Sequence, residues 1–254
     1  SLRSVSLELQ KEHLIRSRRA FEAFVILFGR QKRVIAADYY FENKLPVYEI
    51  ARRIVKGEHH IAPVTVTIPE GFDVSQVAET FTLQLPNFNK DNFLLKVKGL
   101  EGYLFPDTYF FLRTDDETDV IKSMSENFEK KIAPLRPDIG VHGKTEEQVI
   151  TMASLLEKEA KGEVDREIIS GILWRRVAGG MPLQVDAAPE TYKTKGLPKN
   201  PICNPGLASI KAAIYIPGAH PLLPYLYYLH DKNGIAHYAK TFAEHQANIK
   251  KYLK

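Results

Sequence analysis

Thr151-Met-Ala-Ser-Leu-Leu-Glu-Lys-Glu-Ala-Lys161 is the stretch that decides how this 254-residue chain is organised. Val149, Ile150, Met152, Ala153, Leu155 and Leu156 cluster around one side of a helix at about 100° per residue. Glu157 and Glu159 fall near the two opposite margins of that apolar side, and Lys158 points away from it. A carboxyl at the edge of a buried face is partly desolvated, so its pKa rises and it holds a proton near neutral pH. That is the profile of a general acid. An ordinary helix with a charged last turn is the plainer reading of this segment taken alone, since structural ion pairs also perturb pKa.

Around this segment the chain reads as alternating helices and short strands. Thr145-Glu146-Glu147-Gln148 has the capping-box spacing that introduces the helix. Glu163–Ala178 follows as a second helix, carrying Ile168, Ile169, Ile172, Leu173 and Val177 and ended by Gly179-Gly180. Upstream, Val64–Ile68 alternates as a strand, Asp73–Phe81 restarts a helix, and Asp116–Ile132 is an amphipathic helix. The segment 82–100 between them reads as polar and broken. Glu101-Gly-Tyr-Leu-Phe-Pro-Asp-Thr-Tyr-Phe-Phe111 reads as a rigid aromatic loop entering a strand, with rings to pack on sugar faces and acids to bind hydroxyls.

The ends of the chain are less regular. Residues 4–28 read as helix, breaking at Leu14-Ile15-Arg16-Ser17 with Ser17 capping the second part. A strand over 34–42 follows, then a helix Val47–Lys56 started by Pro46, with Ile50, Ile54 and Val55 inward and Gly57 as its cap. This makes a small basic unit ending near Ala62. Downstream, Met181–Asp186 is extended and carries Gln184 and Asp186, and 195–206 is almost all turn chemistry. Ser209–Ile214 is a short helix. Tyr225–His230 and Ala236–Ala239 form a hairpin around Asp231–Gly234, and Phe242–Leu253 is the last helix.

Composition narrows the chemistry. Hydrophobic residues are 44% and charged residues 26%, as in soluble globular proteins. No apolar run approaches the ~18 residues of a membrane span, and no signal peptide opens the chain. The chain opens inside an amphipathic pattern, so an anchor is expected upstream of it. A single cysteine, Cys203, excludes an internal disulfide and a cysteine metal cluster. The net charge is +4, and the first sixty residues hold twelve Lys/Arg against seven Asp/Glu. These basic residues are not interleaved with a stacking platform, so they read as a solvated face near anionic lipid and nucleic acid is not expected as a partner. His59-His60, His220, His230, His237 and His245 lack zinc spacing, so no metal or other cofactor is expected. Neither a Gly-x-Ser-x-Gly elbow nor a phosphate-binding glycine loop occurs. Glycoside chemistry remains: it needs a carboxylic acid held protonated beside a bond that breaks through an oxocarbenium-like state.

Met152–Ala160, reading Met-Ala-Ser-Leu-Leu-Glu-Lys-Glu-Ala, closely resembles the signature of the endolytic murein transglycosylases, the YceG-like family. The stretches 101–109, 183–186 (Leu-Gln-Val-Asp), 195–206, 225–229 (Tyr-Leu-Tyr-Tyr-Leu) and 237–245 resemble further family signatures in the same order. The opening segment is similar to the family's LysM-like subdomain. The resemblance implies an α+β protein: a LysM-like subdomain over 1–62, N-terminally truncated, and a larger mixed α/β catalytic domain over 63–254. It implies a lytic transglycosylase that cuts the MurNAc–GlcNAc bond of nascent peptidoglycan and leaves 1,6-anhydroMurNAc ends. Its setting would be the outer face of the bacterial cytoplasmic membrane, held by a single-pass anchor outside this chain, with peptidoglycan synthases as partners.

Within the Glu-Lys-Glu the motif favours Glu159 as the acid, with Glu157 second. The residues with groove-lining roles are Glu101, Tyr103, Asp107, Gln184, Asp186, Tyr192 and Asn204. A loop-fixing hydrogen bond is the plain alternative for such groove residues. A scaffold that binds peptidoglycan without cutting it is the other reading of the whole. The chain departs from the family after Asp186, where relatives carry a longer stretch before the Tyr that precedes Gly-Leu-Pro. Here Pro189-Glu190-Thr191-Tyr192 follows almost at once, and Glu190 stands where the family often has Asn.

Overall fold

The computed structural model describes residues 1–29, 34, 39, 41, 44–58, 63–215 and 224–253. They form an α+β chain that divides into two compact units, Ser1–Val64 with Leu112–Thr114 and Thr65–Phe111 with Asp115–Lys254. Among the described residues no helix is long and apolar enough to cross a membrane.

The first unit holds α1 (Leu2–Lys11), α2 (Arg18–Gly29) and α3 (Val47–Lys56). The break expected at 14–17 is present, and the Ala20 N–H donates to Ser17 Oγ at 3.3 Å at the start of α2. Ile15, Phe21, Val25, Ile50, Ala51 and Ile54 are buried together. Each of the larger side chains contributes about 1.5–3 kcal/mol by leaving water. Gly57 ends α3 at φ 70°, a left-handed conformation that glycine adopts without steric cost. The strand expected over 34–42 falls, apart from positions 34, 39 and 41, outside the described residues.

In the second unit β1 (Val64–Thr67) pairs with β2 (Thr108–Phe111). Between them lie α4 (Val74–Gln84), closed by an Asp73–Gln76 capping box, and α5 (Lys90–Lys96), capped by Asn89. The segment 82–100 is therefore not simply broken. Leu85, Phe88, Phe93 and Val97 are buried there, but they are too sparse to reveal a period among polar neighbours. After α6 (Glu117–Ile132) comes α7 (Arg136–Val141), a short helix that Pro134, Pro137 and Gly140 hide from a propensity reading. Next are α8 (Glu146–Glu159), α9 (Glu163–Ala178) and α10 (Leu207–Ile214). α10 begins two residues ahead of its expected start at Ser209. The chain then forms the antiparallel hairpin β3 (Tyr227–His230) and β4 (Ala236–Ala239) and closes with α11 (Phe242–Tyr252).

α8 is the centre of this unit. Every residue from Val149 to Leu156 is buried, Thr151 and Ser154 included, so it is a core helix buried all round rather than one with a single apolar side. α9 and α10 pack on it. The polar atom this brings inside is satisfied: Ser154 Oγ donates to the Thr151 carbonyl at 2.8 Å and accepts the Ile202 N–H at 3.0 Å. α8 reaches the surface at its two ends: Glu147 and Gln148 are exposed in the first turn, and in the last turn Lys158 is exposed while Glu157 and Glu159 are half-buried.

Candidate active site

Glu159 is the last residue of α8, and Ala160 leaves the helix in an extended conformation. The Tyr228 hydroxyl on β3 donates to Glu159 Oε2 at 2.9 Å. Burial pushes the Glu159 carboxyl above its ordinary pKa, and the negative charge of Asp186 acts in the same direction. The Tyr228 hydrogen bond, His230 and the Ala187 N–H pull the other way. Burial prevails, and the group is a carboxylic acid poised to hold its proton longer than an exposed glutamate.

Facing Glu159 is the segment 181–192. Leu183 and Val185 are fully buried, while Gln184 and Asp186 are exposed between and after them. Gln184 has φ 55°, a conformation uncommon outside glycine and concentrated at functional positions. Tyr192 donates its hydroxyl proton to Asp186 Oδ1. One arginine joins this segment to the hairpin. Arg176 of α9, 4% exposed, donates from Nη1 to the Leu183 carbonyl at 2.7 Å and from Nε to the Leu226 carbonyl at 2.8 Å. Its guanidinium also lies 5.1 Å from the Tyr227 ring centroid. The result is a cavity of about 490 Å³ lined by Glu159, Gln184, Asp186, Tyr192, Tyr228 and His230, with Phe242 and His245 of α11 on another wall.

Glu159, Gln184, Asp186 and Tyr192, all expected from the sequence, thus meet in one cavity. The other candidates do not join them. Glu101 and Tyr103 line a separate cavity of about 340 Å³ with Glu147 and Asn200. Asp107, just before β2, accepts from Asn127 Nδ2 at 3.1 Å and lies 3.6 Å from Lys131 Nζ. Glu157 Oε2 accepts the Gly206 N–H at 2.9 Å, which ties α8 to the N-terminus of α10.

Asn204 is fully buried and not a groove residue. Its Oδ1 accepts the N–H groups of Gly102 and Leu104, both at 3.0 Å. Its Nδ2 donates to the Phe72 carbonyl at 3.0 Å and to Glu101 Oε1 at 3.2 Å. That uses both donors and both lone pairs of the amide. The loop it holds admits no side chain at Gly102, where φ is 89° and a Cβ would come within 2.7 Å of Pro201. Beside it Cys203 is buried, its Sγ 3.4 Å from the Ser154 carbonyl, and burial pushes the thiol up to about 12.

Tyr228, Arg176 and His230 were not among the sequence candidates. Tyr228 lay in a quoted aromatic stretch, but a strand of tyrosines does not say which ring faces a carboxyl. Arg176 sits in the last turn of a helix, where a basic residue is ordinary.

Burial of Glu101 raises its pKa from 4.5 to about 7, although the Val74 N–H at 3.1 Å favours the charged form. The folded chain therefore keeps a proton that the unfolded chain has already released. Stability is fully present below about pH 4.5 and declines as pH rises through about 7. The expected decline is about 2 kcal/mol once partial exposure is allowed for. Glu101→Gln removes it, and denaturant titrations at acid and alkaline pH on both proteins measure the difference.

A sequence profile of the YceG-like family matches residues 1–190 and 189–251. The two matched segments meet between Asp186 and Tyr192. A Bacillus subtilis (strain 168) protein named endolytic murein transglycosylase is 29% identical over 304 aligned positions, covering 100% of this chain and 82% of its own length. A protein of the same name from Streptococcus pneumoniae (strain D39) is 23% identical, and this chain spans 57% of its length. The crystal structure of a putative YceG-like protein from Listeria monocytogenes superimposes with a TM-score of 0.65 at 26% identity. That match covers 97% of this chain and 95% of the other.

Proposed function

The chain belongs to the YceG-like family, and from that premise we propose a peptidoglycan lytic transglycosylase that uses Glu159 as both general acid and general base. The observation that carries the proposal is the Glu159 carboxyl itself. It ends a buried helix, opens on a polar cavity, and is pushed above the ordinary carboxylate pKa by burial. The names of the Bacillus and Streptococcus relatives support murein as the substrate, and acting on its glycan strands would place the reaction outside the cytoplasmic membrane.

Protonated Glu159 donates its proton to the oxygen linking MurNAc to GlcNAc as that bond breaks. The oxocarbenium-like MurNAc then faces a fresh carboxylate, which accepts the proton of the sugar's own 6-hydroxyl as that oxygen attacks the anomeric carbon. A 1,6-anhydro ring closes and Glu159 regains its proton. One carboxyl thus serves both steps without water. Gln184, Asp186 and Tyr192 supply the hydrogen bonds that orient the sugar, and the carboxylate of Asp186 helps keep Glu159 protonated at the start.

Mass analysis of uncrosslinked glycan strands after digestion tests the reaction: anhydro ends are expected, and reducing MurNAc ends would make the protein a hydrolase. Glu157→Gln is expected to retain most of the activity, because a glutamine Oε1 still accepts the Gly206 N–H. Its cleavage rate beside the wild type decides which glutamate of the pair acts.

A further inference from the structure

The β3–β4 hairpin turns one face toward the short connection between α8 and α9. Tyr228 and Tyr238 are direct partners in its antiparallel register, and His230 follows Tyr228 by two residues, so the three side chains leave the same face. Two carboxylates flank the connection they meet. Tyr228 donates to Glu159 Oε2 at 2.9 Å, and Tyr238 donates to Asp165 Oδ1 at 2.6 Å. His230 Nε2 lies 2.8 Å from Asp165 Oδ2. Cross-strand partners thus make the same kind of bond to two carboxylates, of which Glu159 lines the cavity and Asp165 does not.

We infer that Tyr228 is a positioning residue for the reaction proposed above, fixing the Glu159 carboxyl through Oε2 and taking up the charge that develops there as the proton leaves. The Ala187 N–H also bonds this carboxyl, and Tyr228 is its side-chain donor. A hydrogen bond to a carboxylate is about twice as strong as one to a neutral acid. The Tyr228 bond therefore tightens as Glu159 gives up its proton, which lowers the barrier without improving substrate binding. Burial holds the Tyr228 hydroxyl well above its ordinary pKa, so it remains a donor throughout the working range.

Asp186 and Tyr192 of the 181–192 segment, Arg176 of α9, His230 of the hairpin and His245 of α11 also line the cavity around Glu159. Removing the Tyr228 hydroxyl leaves all of them in place. The sign of its effect is then fixed: a carboxylate that loses a donor binds its proton more tightly.

Tyr228→Phe keeps the ring and deletes only that donor. The expected result is a kcat lower by about 10- to 100-fold, the value of one hydrogen bond to a charged group, with KM within about twofold. The alkaline limb of the kcat/KM profile moves to higher pH. In protein labelled with 13C-glutamate, the Glu159 carboxyl, assigned by its absence in Glu159→Gln, titrates at higher pH in Tyr228→Phe. Tyr238→Phe is the matched comparison: it breaks the Asp165 bond, lowers stability, and leaves the Glu159 titration and the pH profile where they were. A Glu159 titration unmoved by Tyr228→Phe, or moved as far by Tyr238→Phe, overturns the positioning role. A wild type that cuts no glycan overturns the reaction itself, and the titration, which needs no activity, separates that failure from the other.

Discussion

Glu159→Gln lowers glycan cleavage by about 10³-fold or more, because a single group supplies both proton transfers and glutamine can make neither. The side chain keeps its shape, and its amide oxygen still accepts the Tyr228 O–H, so the cavity is expected to persist. The variant is also expected to gain stability at alkaline pH. Burial raises the Glu159 pKa, so the wild type loses stability as pH rises and an ionised carboxylate is forced into the half-buried site. Glutamine has no charge to place there. Muropeptide analysis and thermal melts of the same preparation read the two effects together. A loss of cleavage joined to a gain of stability marks a functional group, since structural residues lose both. Full cleavage by Glu159→Gln removes Glu159 from the mechanism.

The second large effect is structural. Asn204→Ala leaves the Gly102 and Leu104 N–H groups without an acceptor and the Phe72 carbonyl with one donor fewer. Unpaired buried groups cost about 1–3 kcal/mol each, so a loss of about 3–5 kcal/mol is expected. For a unit of this size that lowers Tm by on the order of 10 °C. Calorimetry measures it directly. Cleavage per folded molecule, assayed well below the transition, is expected to survive, which separates a clamp on the loops from a group that touches sugar.

These two residues mark how far the sequence could be read. The place of Glu159 at the margin of a buried face was legible from periodicity, since it trails Met152, Leu155 and Leu156 at helical spacing and all three are fully buried, but its choice over Glu157 rested on the family motif. The α+β organisation was legible for the same reason, since capping boxes at Asp73, Asp116 and Thr145 each introduce an apolar period. The roles of Asn204 and Glu101 were not. An asparagine in a Pro- and Gly-rich stretch looks alike whether it binds a ligand or four loop groups, and the partners at Phe72 and Gly102 lie about a hundred residues away. Gln184 and Asp186 were legible as polar positions beside buried Leu183 and Val185, but the left-handed turn at Gln184 that aims them has no signature in residue type. Arg176 is the clearest omission. Its partners are backbone carbonyls, which every residue carries, so no pattern of side chains could announce it.

Cys203 carries a consequence for where such a chain can work. Its sulfur is shut inside the wall that Ser154 and Asn204 hold, and a thiol pushed up to about 12 is almost never a thiolate at neutral pH. Oxidants and disulfide exchange act through the thiolate, so Cys203 offers almost none to an oxidising compartment while the chain is folded. With no second cysteine to pair with, there is also no bridge to form wrongly or to reshuffle. The fold meets redox stress by packing alone.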